Sequence, residues 1–329
     1  MAGIYIHIPF CKRKCHYCNF FSLATVKFRE SFLEALKKEI TLTSGYLPGE
    51  PVNTIYLGGG TPSVYLPQMI DPDVLGVLSK GEISSQYREI TLEINPEDVT
   101  EDYLRALRET SFNRYSLGIQ SFDDDCLKFM NRGHDGRQAL KSVRMLQESG
   151  MENLSIDLIY GVPGYDDENW RKNLEIAFSL DVPHISAYAL TGEEGTPLHW
   201  MTNRGKAKPV DEEAQVSQFR LLMKMAADHG YEHYEISNFA KPGRYALHNT
   251  NYWRGEMYLG LGPSAHSYNG DARRWNVSNL TRYLAAIESG ILPYEEEILT
   301  PVQQFNEYVM TSLRTQWGCD TGWIARRFG

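Results

Sequence analysis

The chain reads as an α/β protein organised on a parallel sheet, and three features of the sequence predict it. Short apolar runs of strand length recur up to about residue 190, stretches of helical period separate them, and glycines and polar residues gather just past the ends of the runs. Strands are expected at Ile4–Ile8, Thr54–Leu57, Ile90–Ile94, Tyr115–Ile119, Ser155–Tyr160 and Ile185–Tyr188. Amphipathic helices are expected between them at Phe28–Tyr46, Asp71–Ser79, Thr100–Thr110, Gly136–Ser149 and Asp167–Leu180. Thr100, with a carboxylate in the next position, is a fitting helix start, and Gly150 a fitting stop. Strands that alternate with helices pair in parallel through crossovers. A doubly wound sheet and a barrel both satisfy this pattern, and in either the carboxyl ends of the strands line the active site. Gly58–Thr61, Glu93, Asn95, Gln120 and Asp157 therefore share one rim.

Past about residue 190 the pattern changes. Glu193–Pro197 and Arg204–Pro209 read as loops, Glu212–His229 as a helix, and Tyr231–Asn276 is rich in glycine, aromatic residues and histidine. Helices are expected at Leu280–Ser289 and from Thr300 onward. The stretch ending at Phe328-Gly329 is too short to bury itself, which predicts a further C-terminal portion. No internal repeat or low-complexity segment stands out.

Bulk properties bound the function. With 329 residues and 42% apolar content, the chain can bury a sizeable core as one large barrel or about two domains. A net charge of −9 and a pI near 5.5 argue against a nucleic-acid backbone as the main partner. Met1-Ala2-Gly3 leads straight into the first strand without a basic n-region, and no apolar run reaches the length of a membrane span, so a cytoplasmic protein is expected. Five cysteines are too few for a disulfide framework, and their clustering points to metal or catalysis.

The cluster is Cys11-x3-Cys15-x2-Cys18, in the loop after the first strand. Three thiolates so close can wrap three corners of a [4Fe–4S] cluster, and Cys126 and Cys319 lie far away in sequence. The open iron of such a cluster can chelate the amino and carboxylate groups of S-adenosylmethionine, whose reductive cleavage yields a carbon radical. The alternative is a zinc site completed by His16, although no second C-x2-C or H-x3-H half-motif lies downstream. Lys12, Arg13 and Lys14 make the loop electropositive, which stabilises thiolates and suits an acidic electron donor such as flavodoxin.

Tyr5-x-His7-x-Pro9-Phe10-Cys11-x3-Cys15-x-Tyr17-Cys18 resembles the radical S-adenosylmethionine superfamily, and within it the branch holding oxygen-independent coproporphyrinogen III oxidase and heme chaperone HemW. The resemblance covers nearly all of the chain. It implies a partial (β/α)6 TIM-like barrel of parallel strands with a smaller, mostly helical C-terminal part. Residues 1–236 would form the core, 237–292 an extension, and 293–329 the start of a helical domain. The Gly58-Gly59-Gly60-Thr61-Pro62 element resembles the family's GGGTP motif, which implies Gly59, Gly60 and Thr61 near the methionine amino group. By the same resemblance Glu93 accepts from the ammonium, Arg132 pairs with the carboxylate, and Gln120 and Asp157 bind the ribose hydroxyls. Tyr5, Ala189 and His266 line the rest. His7, between Ile6 and Ile8, also reads as a hydrogen-bonded core histidine.

Two features separate the branches. The oxidase pattern continues to a fourth cysteine, where this chain has Phe20, and only ten residues precede Cys11. His248-Asn249-x2-Tyr252-Trp253 resembles the H-N-x-x-Y-W signature of the chaperones, making His248 a candidate heme ligand flanked by two rings that could stack on a porphyrin. The expected function is therefore a heme-binding chaperone that hands heme to apo-hemoproteins, with no catalytic residue assigned. The alternatives are oxidative decarboxylation of coproporphyrinogen III and radical chemistry on another substrate such as RNA. A cluster in a surface loop could also couple assembly to homodimer formation.

Overall fold

The computed structural model describes residues 1–47, 49–76, 78 and 87–329, with backbone alone at 72 and 73. The six expected strands form, each slightly longer than expected: β1 (Ala2–Ile8), β2 (Val52–Gly59), β3 (Glu89–Ile94), β4 (Arg114–Gln120), β5 (Leu154–Tyr160) and β6 (His184–Ala189). They pair in parallel in chain order, β1 to β6. This ordering decides between the two topologies left open by the sequence: a doubly wound sheet reverses direction at a switch point, and this one does not. The sheet is not closed on itself, because β6 next pairs antiparallel with β8 (Asn238–Ala240) and β1 pairs in parallel with β9 (Met257–Leu261). The result is a partial barrel.

Helices wrap its outside. They are α1 (Arg29–Leu42), α2 (Glu101–Arg108), α3 (Asp124–Phe129), α4 (Gly136–Glu148), α5 (Asp167–Ser179), α6 (Pro197–Asn203) and α7 (Glu212–Asp228). Thr100 caps its helix as expected, and Asp135 and Asp166 do the same, each accepting a backbone N–H with the side chain. Of the helix expected over Asp71–Ser79, 71–75 form a π-helical turn, and residues 77 and 79 lie outside the described residues.

Strand alternation explains both the core and the lumen. Outward residues are apolar and fully buried under the helices: Ile4, Ile6 and Ile8 on β1, Ile55 and Leu57 on β2, Leu117 and Ile119 on β4. The alternate, inward residues are polar: Tyr56, Thr91, Glu93, Ser116, Asp157 and Ser186 line the lumen. A closed barrel packs its interior with branched aliphatics. This one keeps a cavity of about 450 Å³.

Beyond the barrel, the Gly- and aromatic-rich stretch extends the same sheet. β8 borders β6, with β7 (Glu232–Glu235) beyond it at the edge, whereas β9, β10 (His266–Tyr268), β11 (Ala272–Asn276) and β12 (Tyr294–Ile298) continue outward from β1. The H-N-x-x-Y-W residues form the short helix α8 (Leu247–Trp253), followed by α9 (Leu280–Glu288). The remainder is mostly helical, α10 (Pro301–Ser312) and α11 (Thr321–Phe328). Glu39 of α1 locks extension to core. This buried carboxylate accepts from Gly262 N at 2.7 Å, Asn276 Nδ2 at 2.6 Å and Tyr283 Oη at 2.7 Å. Buried acids persist only when so bonded. Among the described residues no helix is long and apolar enough to cross a membrane.

Candidate cofactor site

The three cysteines follow β1 and line one wall of the lumen cavity. Their loop is pinned from both sides. Cys11 N donates to Leu23 O at 3.0 Å, and His16 N donates to Met130 O at 3.1 Å. Asn131, in the left-handed conformation (φ 59°), donates through Nδ2 to Lys14 O at 2.8 Å. Arg13 donates to Arg132 O at 3.1 Å, and Lys12 pairs with buried Asp98. The basic residues therefore also staple the loop, while Lys14 reaches the cavity wall. Burial pushes the Cys11 and Cys18 thiols up, so a ligand that takes thiolates must supply the compensating positive charge.

His16 does not line this cavity, and its Nδ1 bonds Phe129 O at 2.8 Å. Among the described residues no three His, Cys, Asp or Glu side chains converge on a single ion. The zinc alternative thus finds no fourth ligand here. A cubane, whose corners hold thiolates farther apart, suits three cysteines around one cavity.

The ligand-binding candidates stand on the same cavity. Gly59, Gly60, Thr61, Glu93, Gln120, Arg132, Asp157 and Ala189 all line the same cavity as the cysteines. Gly59 has φ +101°, and a Cβ there would meet His7 Nδ1 at 2.4 Å; a Cβ on Gly60 would lie 2.6 Å from the carbonyls of both Ile8 and Phe10. These glycines let the β2 turn pass under the cysteine loop, with Gly60 N and Thr61 N each bonded at 2.7 Å to those carbonyls. Gly60→Ala should therefore loosen the loop, costing about 1–3 kcal/mol. Thermal melting with cluster content measured alongside checks it; an unchanged melt and full cluster loading would show that the loop yields freely.

Charge in the lumen is unbalanced in a way that fits a zwitterion. Glu93 is half-buried on the cavity wall and accepts from Tyr56 Oη at 2.6 Å and Gly59 N at 3.2 Å, with no cation paired to it among the described residues. Burial raises its pKa to about 7 against the lowering effect of Tyr56. Asp157, held by Ser116 Oγ at 3.2 Å, is raised by burial to about 6. Arg132 donates through Nη1 to Cys15 Sγ at 3.3 Å and through Nη2 to Asn95 Oδ1 at 2.8 Å and Gly118 O at 2.6 Å, but its buried Nε has no partner. An acid lacking a cation and a guanidinium with an orphaned N–H, on one cavity wall beside three cysteines, fit the ammonium and carboxylate of an amino acid. Gln120 is buried with φ 68°, a strain that surrounding structure sustains at functional sites.

Two expected residues lie elsewhere. Tyr5 and His266 do not line this cavity but a second one of about 720 Å³ that adjoins it and shares Tyr56, Gly59, Glu93 and Tyr188. The reason is strand order: β1 and β10 lie on the side of β2 toward the extension. His248 lines the second cavity too, but its ring is fully engaged. Nδ1 bonds Thr54 Oγ1 and Nε2 bonds Tyr252 Oη, both at 2.9 Å, and the ring stacks on Tyr56 at 5.3 Å. Burial lowers its pKa to about 3. The structure therefore gives His248 the place of a hydrogen-bonded core histidine, and ligation of heme would require breaking one of these bonds. His7 is held likewise, by Tyr5 Oη at 3.0 Å and Phe21 O at 2.7 Å.

Tyr56, Arg114, His184, Ser186 and Tyr188, which no motif singles out, also stand on the lumen wall. Their signal is the polar half of the strand alternation, which is weak for each strand alone and clear across five.

The radical SAM superfamily profile matches residues 5–177. Heme chaperone HemW of Bacillus subtilis is 33% identical over 334 aligned positions, spanning 100% of this chain and 87% of that protein. HemW of Lactococcus lactis is 34% identical over 95% of this chain and 82% of its own. The solved structure of coproporphyrinogen III oxidase (HemN) from Escherichia coli superposes with a TM-score of 0.85 at 23% identity, over 99% of this chain and 78% of that one, a likeness of fold. The chain belongs to the radical SAM superfamily, among the relatives of the heme chaperone HemW.

Proposed function

We propose that the chain is a heme chaperone that holds a [4Fe–4S] cluster on Cys11, Cys15 and Cys18, binds S-adenosylmethionine in the barrel lumen, and delivers heme to apo-hemoproteins in the cytoplasm. The observation that carries it is the pair of adjoining cavities. One has the charges of an amino-acid site beside three cysteines, and the other is walled by aromatic rings. When bound, the cluster would supply the electron that cleaves the sulfonium. The chain's own residues would do the rest: Glu93 and Arg132 grip the two ends of the amino acid, Gln120 and Asp157 take the ribose, and Gly59 to Thr61 offer close backbone. Lys12, Arg13 and Lys14 of the cysteine loop would meet an acidic reductant of the flavodoxin type.

The test is an anaerobic titration of the cluster-loaded protein with heme, followed in the Soret band, beside incubation with coproporphyrinogen III, S-adenosylmethionine and a reductant. Saturable heme binding without formation of the divinyl product is the expected result. Absence of heme binding, or turnover of the porphyrinogen, would replace this reading with that of a radical oxidase or another enzyme.

A further inference from the structure

We propose that heme iron is ligated by His266 in the aromatic cavity beside the lumen, and that His248 serves only to position neighbouring side chains. The inference rests on the heme-carrier reading and deepens it by naming the ligand.

Three histidines line that cavity: His7, His248 and His266. A ligand to iron needs a ring nitrogen with a free lone pair. His7 and His248 each have both ring nitrogens in hydrogen bonds of 2.7 to 3.0 Å. His266 is exposed to the cavity, its ring tilted 6.2 Å from that of Trp275, and neither of its ring nitrogens makes a hydrogen bond among the described residues. Its backbone is held firmly. It stands opposite Trp275 in the β10–β11 ladder, and Gly260 is kept free of a side chain by it, since a Cβ there would lie 2.0 Å from His266 O. A fixed backbone with an unbonded imidazole is the arrangement a metal ligand requires.

The surroundings suit a large flat ring. A volume of about 720 Å³ lies within the range of small-molecule sites. Tyr252 and Tyr258 meet edge to face at 4.6 Å on the wall, and Phe20 is 62% exposed beside the shared boundary of the two cavities. An aromatic this exposed leaves apolar surface for a porphyrin face to cover. Phe20 stands where the oxidases carry a fourth cysteine, so the position that departs from their pattern has a use in this scheme. Arg273 is not assigned to a propionate: its Nε and Nη2 form a two-pronged pair with Glu307 at 2.9 and 2.7 Å.

His248 instead acts through Tyr56. Its ring, fixed by Thr54 and Tyr252, stacks on the Tyr56 ring, whose hydroxyl donates to Glu93 at 2.6 Å. A signature histidine of the extension is thereby linked to the acid of the lumen.

The test titrates ferric heme into anaerobic, cluster-loaded protein and reads the axial ligand by absorbance and electron paramagnetic resonance. Wild type should show an imidazole-ligated spectrum. His266→Gly should lose that signature and bind heme at least about tenfold more weakly, and added imidazole should restore the spectrum. His266→Met should move the spectrum to that of thioether ligation. Thr54→Val, which frees one His248 nitrogen without touching the cavity wall, should keep the wild-type ligand signature. An unchanged spectrum in His266→Gly and His266→Met overturns the inference while leaving the heme-carrier reading in place. Failure of wild type to bind heme overturns that reading itself.

Discussion

Arg132→Lys should weaken S-adenosylmethionine binding by roughly 10–100-fold and disturb the cluster, although the charge is kept. Arg132 joins three things at once: it donates to Cys15 Sγ, Asn95 Oδ1 and the Gly118 carbonyl, and its buried Nε is left for a ligand. Burial opposes its charge, but Tyr17, Cys15 and Glu97 nearby outweigh that and raise its pKa above the ordinary value. Lysine offers one compact ammonium where the guanidinium offers a planar fork. It cannot reach cysteine, amide and carbonyl together and still serve a carboxylate. A hydrogen bond to a charged group contributes about 1.5–3 kcal/mol, which sets the predicted range. Arg132→Leu should do more harm, since Asn95 Oδ1 and Gly118 O would lose a donor and the thiolates a cation. Calorimetry with S-adenosylmethionine on the reconstituted protein, and resonance spectra of the reduced cluster with and without it, measure both effects. Wild-type affinity in Arg132→Lys would remove Arg132 from the ligand site.

The parts of the fold that could be read early are those whose physics is local. β1 to β6 are apolar runs bounded by turn residues, and α2, α4 and α5 announce their starts with Thr100, Asp135 and Asp166. The cysteine loop and the glycine turn are short-range signals as well, and both stand on one cavity. What escaped depends on long-range pairing. β9 joins β1 across more than two hundred intervening residues, so nothing local in Met257–Leu261 tells it from a loop strand. Its placement divides the expected site in two, sending Tyr5 and His266 to the second cavity. His248 shows the same limit from the other side. A motif announces the histidine but not its partners: Thr54, from a strand far back in the chain, is on one nitrogen and Tyr252 on the other.

The remaining large effect is a pH dependence with a definite sign. Glu93 has its pKa raised to about 7 by burial, so near neutral pH the ligand-free protein holds it partly protonated. An ammonium ligand binds the ionised form. Acidification through pH 7 should therefore weaken S-adenosylmethionine binding, by up to about tenfold per unit, and Asp157 should add to the loss near pH 6. Stability of the ligand-free protein runs the opposite way. The folded state binds more protons than the unfolded one wherever the pH lies between the ordinary carboxyl value and 7. This contribution is present at low pH and is lost as pH rises through 7, with a slope of at most about 1.4 kcal/mol per unit. Glu93→Gln removes the titrating group and keeps one acceptor oxygen, enough for Tyr56, which donates to Oε1, or for Gly59, which donates to Oε2. The variant should bind roughly 10–100-fold more weakly at pH 8, the worth of a hydrogen bond to a charged group. It should also lose the affinity slope around pH 7 and keep only the one near 6. Its ligand-free melting temperature should respond less to pH between 6 and 8. Calorimetric titrations and melts across that range supply both curves. A Glu93→Gln protein with the wild-type slope would place the ammonium on another acid, and Asp157 would be the one to test next.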